Sequence, residues 1–255
     1  MYNVEGYKIA PIEVHLRVQR SRRRGLPLGL CGCFAAVVGV VVVLGITAVI
    51  IFLNRPGLAL MVAGFKPEGN TSQVFVGQPT VPPVQLENPV SPTQAIVNLG
   101  SSGAQDLPAN NVQTGSINGN PAATVSFTET DLMNLCHQRT TFCSDTNPQY
   151  RNVQIDLQPG GGIIYADVNV PEIGAAQRVG VVLTLDASHR KFEVMGVDIG
   201  GTLYGLPPGD LGQRVLDVAA KANELLQAAS LQAGGGVYNL SDIRIDSNTI
   251  TFVLQ

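Results

Sequence analysis

The chain has 255 residues, 45% of them hydrophobic, with 16 basic and 19 acidic side chains and a formal net charge of −3. That length allows one or two ordinary domains, and so small and slightly negative a charge excludes a strongly basic surface of the kind that grips nucleic acid. There is no tryptophan, and aromatic residues make up 5% of the chain, so any core must be built mainly from aliphatic side chains.

Residues 1–25 form a tail in which Ile12, Val14, Leu16 and Val18 alternate with Glu13, His15 and Arg17, a weak strand-like pattern that disorder would fit equally well. The tail ends in a basic cluster containing Arg17, Arg20, Arg22, Arg23 and Arg24. From there to Arg55 no residue is charged, and LGLCGCFAAVVGVVVVLGITAVIIFL is almost purely apolar. About 20 residues of helix cross the roughly 30 Å hydrocarbon layer, so residues 26–54 are expected to form a transmembrane helix with length to spare. The run exceeds the roughly 7–15-residue apolar core of a cleavable signal and is followed by no clear A-x-A site, which favours an uncleaved signal-anchor. Arginine crowding on the leading flank places the N-terminus in the cytoplasm and the remainder outside the cell membrane. Cys31 and Cys33 sit at the cytoplasmic end of the run, where they are acylation sites or inert thiols.

Residues 55–123 read as a tether. Between Pro67 and Ala123 the only charges are Glu68, Glu87 and Asp106, and stretches such as VPPVQLENPVSP and LPANNVQTGSINGNP hold no sustained period of 2 or 3.6. Composition of this kind predicts a flexible, disordered linker.

Residues 124–255 carry the signals of a folded domain. In SFTETDLMNL, Thr128 and Asp131 have capping-box spacing, Glu129 and Asp131 suit a helix N-terminus, and Phe127 and Leu132 occupy the two staple positions. Leu132, Leu135 and Cys136 form a short apolar face. Four alternating runs follow, RNVQIDLQ, IIYADVNV, RVGVVLTL and KFEVMGVDIGG, with Gly196 marking a candidate bulge; they predict an antiparallel meander. Leu211, Val215, Val218, Ala222, Leu225 and Ala229 recur at helical spacing before Gly234-Gly235-Gly236, which predicts one long amphipathic helix. VYNLSDIRID and TITFVLQ flank Ser247-Asn248 as a terminal hairpin. The expected fold class is α+β: a curved antiparallel sheet packed on one long and one short helix.

Cys136 and Cys143 lie on the outer side of the membrane, where a disulfide is permitted. Zinc is not expected, because Cys136, His137 and Cys143 lack a nearby fourth ligand.

The helix opening SFTETDLMNL, the strand end at Val197–Thr202, the Leu206-Pro207 step, the long helix and the last hairpin together resemble bacterial membrane-anchored proteins of the YpmS and LmeA type. The resemblance spans residues 124–255, and its motifs are short. Those proteins are in turn similar to TULIP lipid-binding modules, in which a curved sheet and a long helix enclose an apolar groove. The resemblance implies a lipid or other amphiphile as ligand, in a groove lined by Ile164, Val168, Val181, Leu183, Phe192, Val194, Val215, Val218, Ala222 and Leu225. The alternative is a non-enzymatic structural or interaction module of a cell-envelope or secretion assembly, with the terminal strand TITFVLQ as an edge open to a protein partner.

An enzyme is not expected. No G-x-S-x-G, H-E-x-x-H or phosphate-cradling glycine loop appears, and Asp198 and Asp210 read as solvated caps near strand ends rather than an acid pair. No cofactor or metal is implied. From Thr124 onward there are eight basic and fourteen acidic residues, a net −6, which opposes both nucleic acid and anionic bilayer surfaces as direct partners.

Overall fold

The computed structural model describes residues 66–78, 82–98, 104–139, 143, 150–170, 175–206 and 209–255. The expected span over residues 26–54 and the tail before it lie outside them. Among the described residues no helix is long and apolar enough to cross a membrane.

The fold is α+β, with antiparallel sheets, a strongly curled half-barrel and few helices. In chain order the elements are β1 (Pro67–Asn70), α1 (Ser72–Phe75), β2 (Glu87–Val90), β3 (Ala95–Asn98), β4 (Ala104–Asp106), a 3₁₀ turn (Ala109–Asn111), β5 (Val112–Ile117), β6 (Asn120–Thr128) and α2 (Glu129–Arg139). They continue with β7 (Tyr150–Gln158), β8 (Gly161–Val170), β9 (Ala175–Leu185), β10 (Phe192–Ile199), β11 (Thr202–Tyr204), α3 (Asp210–Gln227), β12 (Ser230–Ala233), β13 (Gly236–Ile245) and β14 (Thr249–Leu254). One sheet has six strands in the order β1-β11-β10-β9-β8-β7; the other has eight, ordered β2-β5-β6-β14-β13-β12-β3-β4.

The meander β7–β10 follows the alternation in the sequence. Val153, Ile155, Leu157, Ile164, Ala166, Val168, Val179, Val181 and Leu183 are all buried in one continuous core. Gly196 is the predicted bulge: the register of β10 against β9 shifts between Val194 and Gly196, and Gly196 sits at φ 153°. A side chain there would run into the Tyr204 carbonyl, so the position needs glycine for space as well as for backbone freedom.

The described parts of residues 67–123 differ from the tether expected of them. Val97 and Val112 are buried in the main core with Ala95 and Ala123, and β3 pairs with β12 from Ala95↔Ala233 to Asn98↔Ser230. The physical reason is long-range pairing. Strands of three or four residues are too short to show a period, and their hydrogen bonds are completed by partners far along the chain. The boundary read at Thr124 therefore falls inside β6, whose nine residues pair with β5 on one side and β14 on the other.

The helix starts where Thr128 as its cap puts it. Ser126, Phe127 and Thr128 finish β6, and α2 begins at Glu129. The capping box forms as read: the Asp131 amide donates to Thr128 Oγ1 at 3.2 Å, and the Thr128 amide donates to Asp131 Oδ2 at 2.9 Å. Glu129 does a different job, accepting the Leu157 amide at 2.7 Å and tying the first turn of α2 to β7. A disulfide joins Cys136 to Cys143 with their Cα atoms 5.7 Å apart, and both cysteines are buried.

On α3 the buried face is rotated from the predicted stripe. Val215, Ala219, Ala222 and Leu226 are buried, at spacings of four, three and four, while Val218 and Leu225 are only partly covered. Asn223 fixes the helix to the sheet by a double hydrogen bond: Oδ1 accepts the Phe192 amide at 2.9 Å and Nδ2 donates to the Phe192 carbonyl at 2.8 Å. The helix ends at Gln227, before Ala229. Gly234 and Gly235, at φ 57° and 84°, then make the turn between β12 and β13 rather than stopping the helix.

The C-terminal hairpin β13–β14 is present, but β14 is no edge. It lies between β13 and β6, so it has no side left for a partner strand. Phe127 and Phe252 meet edge to face across that pairing, with ring centroids 6.4 Å apart.

Candidate functional site

The ten residues expected to line an apolar groove lie on β8, β9, β10 and α3. Ile164, Val168, Val181, Leu183, Phe192 and Val215 belong to the main core, none more than 3% exposed. Ala222 packs in a small cluster with Ala219, Val194, Val218 and Leu225 between α3 and the sheet. One apolar void does lie beside the end of α3, walled by Leu226, Ala229, Leu231, Leu240, Phe252 and neighbours; its volume is about 20 Å³ and it contains none of the ten. Ligand pockets are typically about 300–1,000 Å³, so a void of this size holds no acyl chain as it stands.

A much larger hollow, about 580 Å³, opens at a corner of the six-stranded sheet. Its origin is a mismatch of strand lengths. β9 pairs with β8 along its whole length, from Thr184↔Gly161 to Ala175↔Val170. On its other side β10 runs out at Ile199↔Val179, where Gly200 and Gly201 turn the chain back into β11. Ala175–Arg178 of β9 thus overhang the end of β10, and among the described residues no strand pairs with them on that side. Both turn glycines have positive φ, 61° and 85°, which lets the reversal be tight enough to leave the notch.

The notch has a polar wall built across the sheet. Tyr165 on β8, Gly180 on β9 and Asp198 on β10 stand in one cross-strand row. A Cβ on Gly180 would come within 2.7 Å of the Tyr165 ring, so the missing side chain is what lets the ring lie flat on the strand. Arg178, two residues along on the same face, places its guanidinium 4.7 Å from the ring centroid. Arg178 also donates to the Gln154 carboxamide oxygen. Burial, aided by the negative fields of Asp198 and Asp156, pushes the Tyr165 phenol up to about 12, so it keeps its proton at neutral pH.

Asp198 is 4% exposed, unlike the solvated cap expected of it. Its carboxylate accepts the Thr71 hydroxyl and, at 3.4 Å, the Gly201 amide, and the Thr71 amide donates to the Gly201 carbonyl at 3.0 Å. Thr71 comes from the segment that carries β1 and α1. That segment also covers the outer sheet face, where Phe75 packs on Ile163, Val182 and Leu203. The side chain of Asp210, the other candidate acid, lies outside the described residues.

The structure therefore brings together Thr71, Tyr165, Arg178 and Asp198, only one of which the sequence drew attention to. A signal did exist for Tyr165 and for the Gly180 on which its ring lies. Tyr165 and Gly180 sit on the opposite parity from the core residues of their strands, a large ring facing a glycine. Thr71 had none, being 127 positions from Asp198.

Two further charged contacts, from Arg190 and His189, link the β9–β10 turn to β13. Arg190 donates to the Leu240 carbonyl at 3.0 Å, and Asp242 holds Arg244 at 2.8 Å with His189 3.7 Å away. Burial alone would raise the Asp186 carboxyl in the same turn, yet hydrogen bonds from Ser188 and the Arg190 and Lys191 amides hold it below its usual value. Among the described residues there is no group of three or more His, Cys, Asp or Glu able to hold a metal. No protein-family profile, no curated protein and no solved structure matches this chain.

Proposed function

We propose that the chain is a single-pass, outward-facing membrane protein whose folded part works by binding a partner rather than by catalysis, as a module of the cell envelope. The observation that carries this reading is the place of β1 and α1. Eleven residues separate the end of the apolar run at residue 54 from Lys66, and the chain is already part of the six-stranded sheet from Pro67. Fully extended, eleven residues span at most about 40 Å, so a span over residues 26–54 would hold this domain close against the bilayer. The notch at Gly200–Gly201 is then rimmed by the membrane-proximal segment itself, through Thr71.

The test is accessibility from outside. Ser247 lies in the exposed turn between β13 and β14, and Ser247→Cys in the full chain should react with a membrane-impermeant maleimide on intact cells, with the protein staying in the membrane after alkaline carbonate washing. Labelling that appears only after permeabilisation, or release by carbonate, would refute the reading.

An amphiphile in the interior is the second reading, favoured by the resemblance to YpmS- and LmeA-type proteins and by the apolar void beside Leu226 and Ala229. It requires α3 to swing away from the sheet. Native mass spectrometry of the full chain released from detergent would show a retained lipid mass, lost on Ala222→Trp if α3 covers the ligand.

A further inference from the structure

Residues 66–78 lie across the outer face of the six-stranded sheet and are held there lightly. Two of their side chains are buried, Thr71 and Phe75, while all four residues of β1 are exposed. β1 is the terminal strand of its sheet and pairs with β11, with a register shift between Pro67 and Gly69. β11 keeps β10 on its other side, so no other strand pairing depends on the segment. Among the described residues, the main core takes no member from residues 66–78. Phe75 sits instead in a separate cluster with Ile163, Val182 and Leu203.

The face beneath is nonetheless shaped for this sequence. The Phe75 ring lies over Gly161, where a Cβ would come within 2.9 Å of it, and the Glu68 side chain lies over Gly205. Between them Thr71 donates its hydroxyl to Asp198 and its amide to the Gly201 carbonyl at 3.0 Å. An element with specific contacts but little buried apolar area opens locally at less cost than the whole fold.

We propose that residues 66–78 are a releasable latch that sets the length of the tether: the segment undocks as a unit from an intact sheet, and the domain's reach from the apolar run increases. The undocking stands on the fold alone; the change of reach rests on the topology reading above. Docked, residues 55–65 span at most about 40 Å before Lys66. Undocked, the next hold is the Pro82 carbonyl, which accepts from Arg244 Nη1 at 2.6 Å. The 27 residues 55–81 then reach roughly 90 Å at full extension. Opening also bares Ile163, Val182 and Leu203, and the return of Phe75 to that patch is what closes the latch.

Val181 and Val182 supply the test. They are neighbours on β9, both 0% exposed, but Val181 faces the main core and Val182 faces the latch. The experiment uses the full chain in lipid nanodiscs, carrying Cys31→Ser and Cys33→Ser. Val182→Cys should react with iodoacetamide at least about a hundredfold faster than Val181→Cys, because only the latch has to open. Phe75→Ala should raise the first rate at least about tenfold through lost apolar burial, and leave the second unchanged. With a donor dye on Ser247→Cys and an acceptor on the nanodisc headgroups, energy transfer should fall on Phe75→Ala. Equal alkylation rates, or rates that rise in parallel on Phe75→Ala, would overturn the latch. Separated rates with unchanged energy transfer would overturn the change of reach. A failed topology reading shows elsewhere, as absent maleimide labelling on intact cells, and leaves the alkylation rates untouched.

Discussion

The two sheets are made from different kinds of sequence. In the six-stranded sheet, β7 to β11 come from one continuous stretch, residues 150–204, each strand pairing with the next, and only β1 arrives from elsewhere. The eight-stranded sheet is stitched from two distant stretches, Glu87–Thr128 and Ser230–Leu254, joined by the β14–β6 and β12–β3 ladders. The first is local and stands out as alternating Val, Ile and Leu. The second closes loops of more than a hundred residues before its contacts form, an entropic cost that local hairpins avoid. Sheets of equal solidity in the folded state can thus differ widely in how openly the sequence declares them.

Substitutions can break this comparison at its weakest assumption, that the strands of residues 67–123 are core. Val112 is fully buried, whereas Val90 in the same stretch is 61% exposed. Val112→Asp should cost more than about 4 kcal/mol by burying an unpaired carboxylate, and Val90→Asp less than about 0.5 kcal/mol. Urea denaturation of the full chain in nanodiscs, followed by tyrosine fluorescence, reads both. Equal, small effects would return the stretch to a tether.

Next in size is the disulfide that ties Cys143 to α2. Cys136 and Cys143 close a short loop, so replacing both with Ser should cost about 2–3 kcal/mol through the freedom regained by the unfolded chain. The loss should appear as a lower denaturation midpoint in the oxidised protein and vanish when wild type is reduced.

Asn223→Ala removes both hydrogen bonds to Phe192, where α3 meets the local sheet. About 1–3 kcal/mol is expected, since it strands a backbone amide and carbonyl that are partly shielded. Asn223→Asp should rescue only the acceptor half. Exchange of the Phe192 amide distinguishes local release of α3 from global destabilisation.

The smallest effect concerns pH. Tyr165 keeps its proton to about 12, above the ordinary phenol value of 10.0. Between those values the unfolded chain has lost a proton that the folded one retains, so stability falls as pH rises through that window. Tyrosine absorbance of the folded protein should show one late-ionising phenol that disappears in Tyr165→Phe, and Arg178→Ala should push it later still.

Legibility followed the same division. The strands β7–β10, the bulge at Gly196, the Thr128–Asp131 capping box and the β13–β14 hairpin were readable because each depends on residues within a few positions. The face of α3 was misplaced by part of a turn because Val218 and Leu225 are as apolar as the buried Ala219 and Leu226, and only the sheet opposite decides between them. β1–β4 were hidden by length, by Pro89 inside β2, and by small buried residues such as Ala95. The notch was hidden most deeply. It arises from where β10 stops, which no pattern within β9 records, and from Thr71 reaching Asp198 across the whole fold.

The central claim is that the described strands between Pro67 and Ala123 are an integral part of the same fold as β7–β14. Hydrogen exchange of the full chain in nanodiscs tests this most directly. Amides of β3, β5 and β6 should be protected to a degree comparable with β8 and β9 and released together with them on partial denaturation. Exchange across residues 67–123 at the rate of an unstructured peptide, with β8 and β9 still protected, would contradict it.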